Sequence, residues 1–110
     1  MPSPELLRSW KRTTGYLRDA RAQLPPIAEA EFDDDLVQFE EFVDHNELGL
    51  AFDVLEAVAE ESVRESPRMF ELLALAASSM GRHEKQRELD AKLTELRSRP
   101  YQTELPRIDD

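Results

Sequence analysis

Apolar residues recur every three or four positions along most of the chain, which is the spacing of α-helices that bury one face. Ser3-Pro4 and Ser66-Pro67 each combine an N-cap serine with a proline in the first helical turn. No segment alternates apolar and polar residues as a hairpin strand does. We therefore expect an all-α protein, a four- or five-helix bundle of antiparallel helical hairpins. The predicted helices cover about residues 4–24, 30–45, 47–65, 67–80 and 83–97.

The ends of these helices also follow from the sequence. Asn46 is predicted to be the N-cap of the third helix, and Gly81 the residue that ends the fourth. The fourth helix is apolar nearly all round, which places it at the centre of the bundle. Pro100 and Pro106 interrupt the last segment. The prediction is thus a single helical domain over residues 1–97 and an irregular C-terminal tail over 98–110.

Composition narrows the class of protein. A chain of 110 residues forms one domain, and the absence of cysteine excludes disulfides and thiolate chemistry. No apolar run reaches the roughly 18 residues that a membrane span needs, so we expect no membrane association. The N-terminus lacks the basic and apolar regions of a secretory signal, so we expect a cytoplasmic protein. The net charge of −10 argues against nucleic acid as a ligand.

The acidity is concentrated in one part of the chain. Residues 29–65 contain 14 acidic residues and a single basic one, Arg64, whereas the segments on either side are net positive or neutral. Solvated helices usually mix both signs through pairs four residues apart, and like charges at that spacing repel. We therefore interpret the block as a surface for a basic partner, with a merely solvated helix face as the alternative.

Motifs for catalysis are missing from the sequence. His83-Glu84 begins like a zinc-protease helix, but no second histidine follows four residues later. The run Asp33-Asp34-Asp35 lacks the spacing of a calcium loop and is interpreted as a helix start favoured by the helix dipole. His45 lies in a predicted helix–helix turn, where exposure is the norm. We expect no enzyme activity, no cofactor and no metal.

One stretch resembles a known family. Phe39-Glu40-Glu41-Phe42-Val43-Asp44-His45-Asn46-Glu47-Leu48-Gly49-Leu50-Ala51-Phe52-Asp53-Val54-Leu55-Glu56 is similar to a helical hairpin of small bacterial immunity proteins. These are cytosolic antidotes of polymorphic toxin systems, of the Maf-operon and contact-dependent-inhibition types. The resemblance covers about 30 of the 110 residues. It implies an inhibitor that binds a basic cognate toxin domain, often a nuclease, through acidic residues of the second and third helices. The implied contacts are Asp33, Asp34, Glu40, Glu41, Asp44, Glu47, Asp53, Glu56 and Glu60.

Two other functions stay open. Two helix starts, at Asn46 and Gly81, lie 35 residues apart, close to the tetratricopeptide period of about 34. A tetratricopeptide-like adaptor would bind a peptide in an apolar groove, for which Phe42, Phe70 and Met80 are the candidates. Self-association as a homodimer is the other alternative.

Overall fold

The structure, a computed structural model, describes residues 1–98, and six helices lie within them. The predicted irregular tail covers residues 98–110, and all of it except Ser98 lies outside the described residues. None of the helices in residues 1–98 combines the length and the apolar character needed to cross a membrane. The all-α prediction is confirmed. The helices are α1 (Pro4–Arg21), α2 (Pro26–Glu31), α3 (Asp33–Asp44), α4 (Leu48–Ser62), α5 (Pro67–Ser79) and α6 (His83–Arg97).

The predicted number of helices was too low because α2 was missed. The sequence predicted no helix between residues 24 and 30, but Pro26 begins one there. A proline fits the first position of a helix because its fixed φ is helical and its missing N–H has no intrahelical acceptor there. Phe32, with φ −110° and ψ 31°, then separates α2 from α3.

Two helices begin at a serine N-cap, and one ends at a glycine with positive φ. The hydroxyls of Ser3 and Ser66 accept hydrogen bonds from the amides of Leu6 and Met69, at 3.1 and 3.3 Å, as the sequence predicted. Gly81 adopts φ 78° and ends α5, also as predicted.

The predicted role of Asn46 was wrong. This residue was expected to be the N-cap of α4, but its φ of 58° makes it the left-handed residue that ends α3. The amide of the next residue, Glu47, donates to the carbonyl of Phe42 at 2.8 Å, and the amide of Arg82 donates to Ala77 at the same distance after Gly81. The two turns thus share one geometry, because asparagine is the non-glycine residue that best tolerates this conformation.

The core is built around α5, which packs most extensively against α1 on one side and α6 on the other. The helices α3 and α4 pack tightly against each other as a hairpin. This hairpin contacts α1 and α5 through α4. Three phenylalanines, Phe39, Phe52 and Phe70, are fully buried. The central position predicted for α5 is confirmed, because seven of its residues are buried. Trp10 is partly buried and packs against this core.

Candidate functional site: the acidic surfaces of α3 and α4

The first acidic surface follows from how α3 lies on its hairpin partner. Its apolar residues Leu36, Phe39 and Val43 are buried against the core. The carboxylates between them therefore point outward, since helical positions three or four apart share a face. Five of the predicted contact residues are exposed, and within residues 1–98 none of them forms an ion pair. We call this set the α3 face: Asp33, Asp34, Glu41, Asp44 and Glu47.

The second acidic surface is on α4, and the protein neutralises it with its own cations. Asp53 Oδ1 lies 2.9 Å from Arg82 Nη1, which belongs to the turn before α6. Further along, α6 supplies Lys85 to Glu56 at 3.3 Å and Lys92 to Glu60 at 3.6 Å. The three pairs advance in the same direction along both helices, so α4 and α6 run parallel here. We call these six residues the α4–α6 seam.

Aromatic rings hold two of these three cations in place. The Arg82 guanidinium lies 5.0 Å from the centre of the Phe52 ring, and the Lys92 ammonium lies 4.7 Å from the centre of the Phe70 ring. Both rings belong to the core and are fully buried. A cation over an aromatic face is attracted by the ring quadrupole, while its aliphatic stem covers the apolar surface beneath. The seam is therefore both an ionic contact and part of the packing.

Glu40 is also paired, with α1. Its Oε1 lies 2.9 Å from Arg18 Nη1, and its Oε2 lies 3.1 Å from Arg21 Nε. Arg21 additionally pairs with Glu29 of α2 at 2.9 Å. Glu40 thus connects α3 to α1, although it lies in the middle of the acidic sequence. Of the nine predicted contact residues, four belong to internal pairs and five to the α3 face.

Two side chains in ion pairs within the protein have shifted pKa values, one in the α4–α6 seam and one on α5. The pKa of Lys85 is raised, first by its hydrogen bond to Glu88 and then by the charge of Glu56, against an opposing effect of burial. The pKa of Glu71 is lowered, first by the hydrogen bond that Arg68 donates and then by the charges of Arg68 and Arg97. Both groups lie outside the α3 face.

Sequence reasoning missed one feature of this region, a groove between α3 and α4 of about 340 Å³. Its lining is mainly apolar, and carboxylates stand at its edge. Two of these, Asp35 and Glu61, were not among the predicted contacts. Only the packing of the two helices brings them together, so no spacing in the sequence could have found them. The lining residues are Phe32, Asp35, Asp53, Val54, Ala57, Val58 and Glu61.

Both histidines are exposed. His45 is exposed in the α3–α4 turn, and its Nδ1 lies 2.8 Å from the Glu41 carbonyl oxygen of its own helix. His83 is exposed at the start of α6. In the part of the chain that the structure describes, no three side chains among His, Cys, Asp and Glu are grouped so as to hold a metal ion.

Comparison of the chain with known proteins finds no relative. No family model, no curated protein and no solved structure matches the chain.

Proposed function

We propose that the protein is an immunity protein of a bacterial polymorphic toxin system, which acts in the cytoplasm and neutralises a basic cognate toxin domain. The observation that carries the proposal is the α3 face: five exposed carboxylates without an ion pair in residues 1–98, beside α4, where three of the four carboxylates are paired with cations of the protein itself. A surface of one sign attracts a partner of the other and accelerates its docking.

The position of two of these charges supports a use beyond solubility. Glu41 and Asp44 lie in the last turn of α3, which contains no basic residue. Negative charge is unfavourable at the C-terminal end of a helix, at about 0.3–1 kcal/mol for each group. The two are also three residues apart and repel each other. Carboxylates that destabilise their own helix are expected where they serve an interface.

The direct test starts from the gene immediately upstream, whose product we expect to carry a basic C-terminal toxin domain. That domain should stop bacterial growth when expressed alone and should be harmless when this chain is expressed with it. The purified pair should form a 1:1 complex in sedimentation. Growth arrest that persists despite coexpression, or a mixture that sediments as two separate species, would contradict the proposal.

Charge reversal on the α3 face gives a second test. Replacing Glu41, Asp44 and Glu47 by lysine should weaken binding to the toxin domain by roughly 3 kcal/mol, because close charge pairs across an interface couple that strongly. Isothermal titration calorimetry measures the loss. A matched control reverses three exposed carboxylates outside the α3 face, Glu5 on α1 and Glu84 and Asp90 on α6, and should change the affinity less than twofold. Equal losses in both variants would mean that only net charge matters.

The alternative, a tetratricopeptide-like adaptor, is favoured by one observation, the equal turn geometry of the two hairpins. Its expected peptide groove is less well supported. Phe70 is fully buried, Phe42 and Met80 are partly buried, and α5 is covered by α1 and α6. An apolar peptide groove predicts an affinity that hardly depends on salt, whereas the α3 face predicts a steep dependence. A titration at several ionic strengths separates the two.

A further inference from the structure

The groove between α3 and α4 has a floor and an edge of different chemistry. Val58 is buried at its base, while Phe32 and Val54 are partly buried along its sides. Ala57 is exposed and contributes only a methyl group to the lining. The edge carries carboxylates from both helices. A side chain that enters must therefore be apolar along its length and compatible with negative charge at its end.

The charge at the edge is only partly compensated within the protein. Asp53 is paired with Arg82 at 2.9 Å and belongs to the α4–α6 seam. Asp35, in the first turn of α3, and Glu61, in the last turn of α4, are both exposed and form no ion pair with any residue of 1–98. An apolar cleft with two carboxylates that lack an ion-pair partner in residues 1–98 is complementary to a cationic side chain.

We propose that this groove is the anchoring pocket for an arginine or lysine side chain of the basic partner protein. The aliphatic stem would lie on Phe32, Val54 and Val58, and its charged end would lie between Asp35 and Glu61. Long cationic side chains combine an apolar stem and a hydrated head in this way. Arginine fits best, because its planar guanidinium donates to two carboxylates at once and stacks on an aromatic ring. This inference rests on the proposed function and adds one anchoring contact to the docking surface of the α3 face.

Nuclear magnetic resonance of the full chain tests the pocket without the partner. The probe is N-acetyl-leucyl-arginine amide, and its neutral isostere is the same compound with citrulline in place of arginine. The arginine probe should shift the backbone amide signals of Phe32, Asp35, Ala57 and Glu61 saturably at millimolar concentration. The citrulline probe should bind roughly tenfold more weakly, because two charge contacts are lost. Shifts spread over every acidic helix without saturation would overturn the proposal.

Isosteric substitutions locate the charge. The double variant Asp35→Asn/Glu61→Gln should weaken the arginine probe roughly tenfold. The control Asp34→Asn/Glu41→Gln removes the same number of charges from the α3 face and should leave probe binding within twofold. Equal effects of the two variants would overturn the pocket. All four positions are exposed, so the substitutions leave the core intact.

The same variants distinguish the pocket from the proposed function. If the toxin domain binds the Asp35→Asn/Glu61→Gln variant as tightly as the original chain, the pocket is wrong and the immunity function stands. If the probe occupies the groove but the upstream product neither inhibits growth nor binds, the immunity function is wrong and the pocket stands. A dimer in sedimentation that this double variant dissociates would assign the groove to a second copy of the chain, and would also overturn the proposal.

Discussion

Removing one lysine tests whether the α4–α6 seam contributes to stability. Lys85 pairs with Glu56 at 3.3 Å and with Glu88 at 3.1 Å. Its side chain is 25% exposed, and that of Glu56 only 18%. The substitution Lys85→Met keeps the apolar stem and removes the charge. It should destabilise the protein because Glu56 then loses its cation while it stays largely out of water.

The magnitude follows from the two contacts and the exposure of Glu56. Exposed ion pairs contribute about 0.2–1 kcal/mol each. A partly buried carboxylate left without its partner adds a desolvation cost, so we expect a total loss of about 1–2 kcal/mol. For a domain of this size, that loss lowers the melting temperature by roughly 5–10 °C.

Thermal unfolding followed by far-ultraviolet circular dichroism measures this loss. A double-mutant cycle with Glu56→Gln isolates the Lys85–Glu56 term, which we expect to be about 0.5–1 kcal/mol. The control is Lys11→Met, because Lys11 is exposed on α1 and forms no ion pair within residues 1–98, and it should change stability by less than about 0.5 kcal/mol. The reasoning is refuted if the two lysine substitutions have equal effects and the cycle shows no coupling.

Because the pKa of Lys85 is raised, the effect of Lys85→Met on stability should depend on pH. A group whose pKa is higher in the folded state contributes its stability fully below its ordinary value of 10.5 and loses it as pH rises through the folded value. The stability difference between the original chain and Lys85→Met should therefore shrink at alkaline pH. A difference that stays constant across that range would show that the contribution of Lys85 is packing alone.

Three further outcomes are expected. Asn46→Val should destabilise the protein by about 1–2 kcal/mol in urea unfolding, because a β-branched residue tolerates a φ of 58° poorly, whereas Asn46→Gly should not destabilise it. Glu71→Gln should make the protein lose less stability in acid. A carboxyl whose pKa is lowered on folding contributes stability at pH values above its ordinary pKa of 4.5, and loses it as the pH falls through the folded value. Melting curves recorded at several pH values measure the difference. The substitution Asp44→Asn removes a negative charge from the C-terminal end of α3, so it should increase the free energy of unfolding by roughly 0.3–1 kcal/mol and raise the melting temperature. The same substitution should weaken the toxin complex.

Most of the fold could be predicted from local patterns in the sequence. The periodicity of Phe39 and Val43 in α3, and of Leu89 and Leu93 in α6, marks faces that the structure buries. The two Ser-Pro pairs fix two helix starts, since capping depends only on neighbouring residues. Asn46 was misassigned because the same residue type suits both an N-cap and a left-handed helix end. Its backbone angle decides between them.

The candidate site was harder to predict because it depends on which helices are neighbours. The acidic residues of α3 and α4 look alike in the sequence, and nothing local shows that α6 lies along α4. The pairing of Asp53 with Arg82 spans 29 residues, and that of Glu60 with Lys92 spans 32. Such separations are set by tertiary packing, so the charge of α4 could not be separated from that of the α3 face. The groove around Ala57 was hidden for the same reason.

The association rate of the purified chain with the toxin domain, measured by stopped-flow fluorescence at about 50 and 200 mM salt, tests the central claim most directly. Electrostatic attraction by the α3 face predicts a rate that falls steeply with salt in the original chain, and a slow rate with little salt dependence after Glu41, Asp44 and Glu47 are replaced by lysine. A variant with one seam pair neutralised, Glu60→Gln together with Lys92→Gln, should keep the original rate, because Glu60 lies outside both the α3 face and the groove. An association rate of the original chain that is the same at both salt concentrations would contradict the assignment of the α3 face as the docking surface. An equal fall of the rate in both variants would contradict it too.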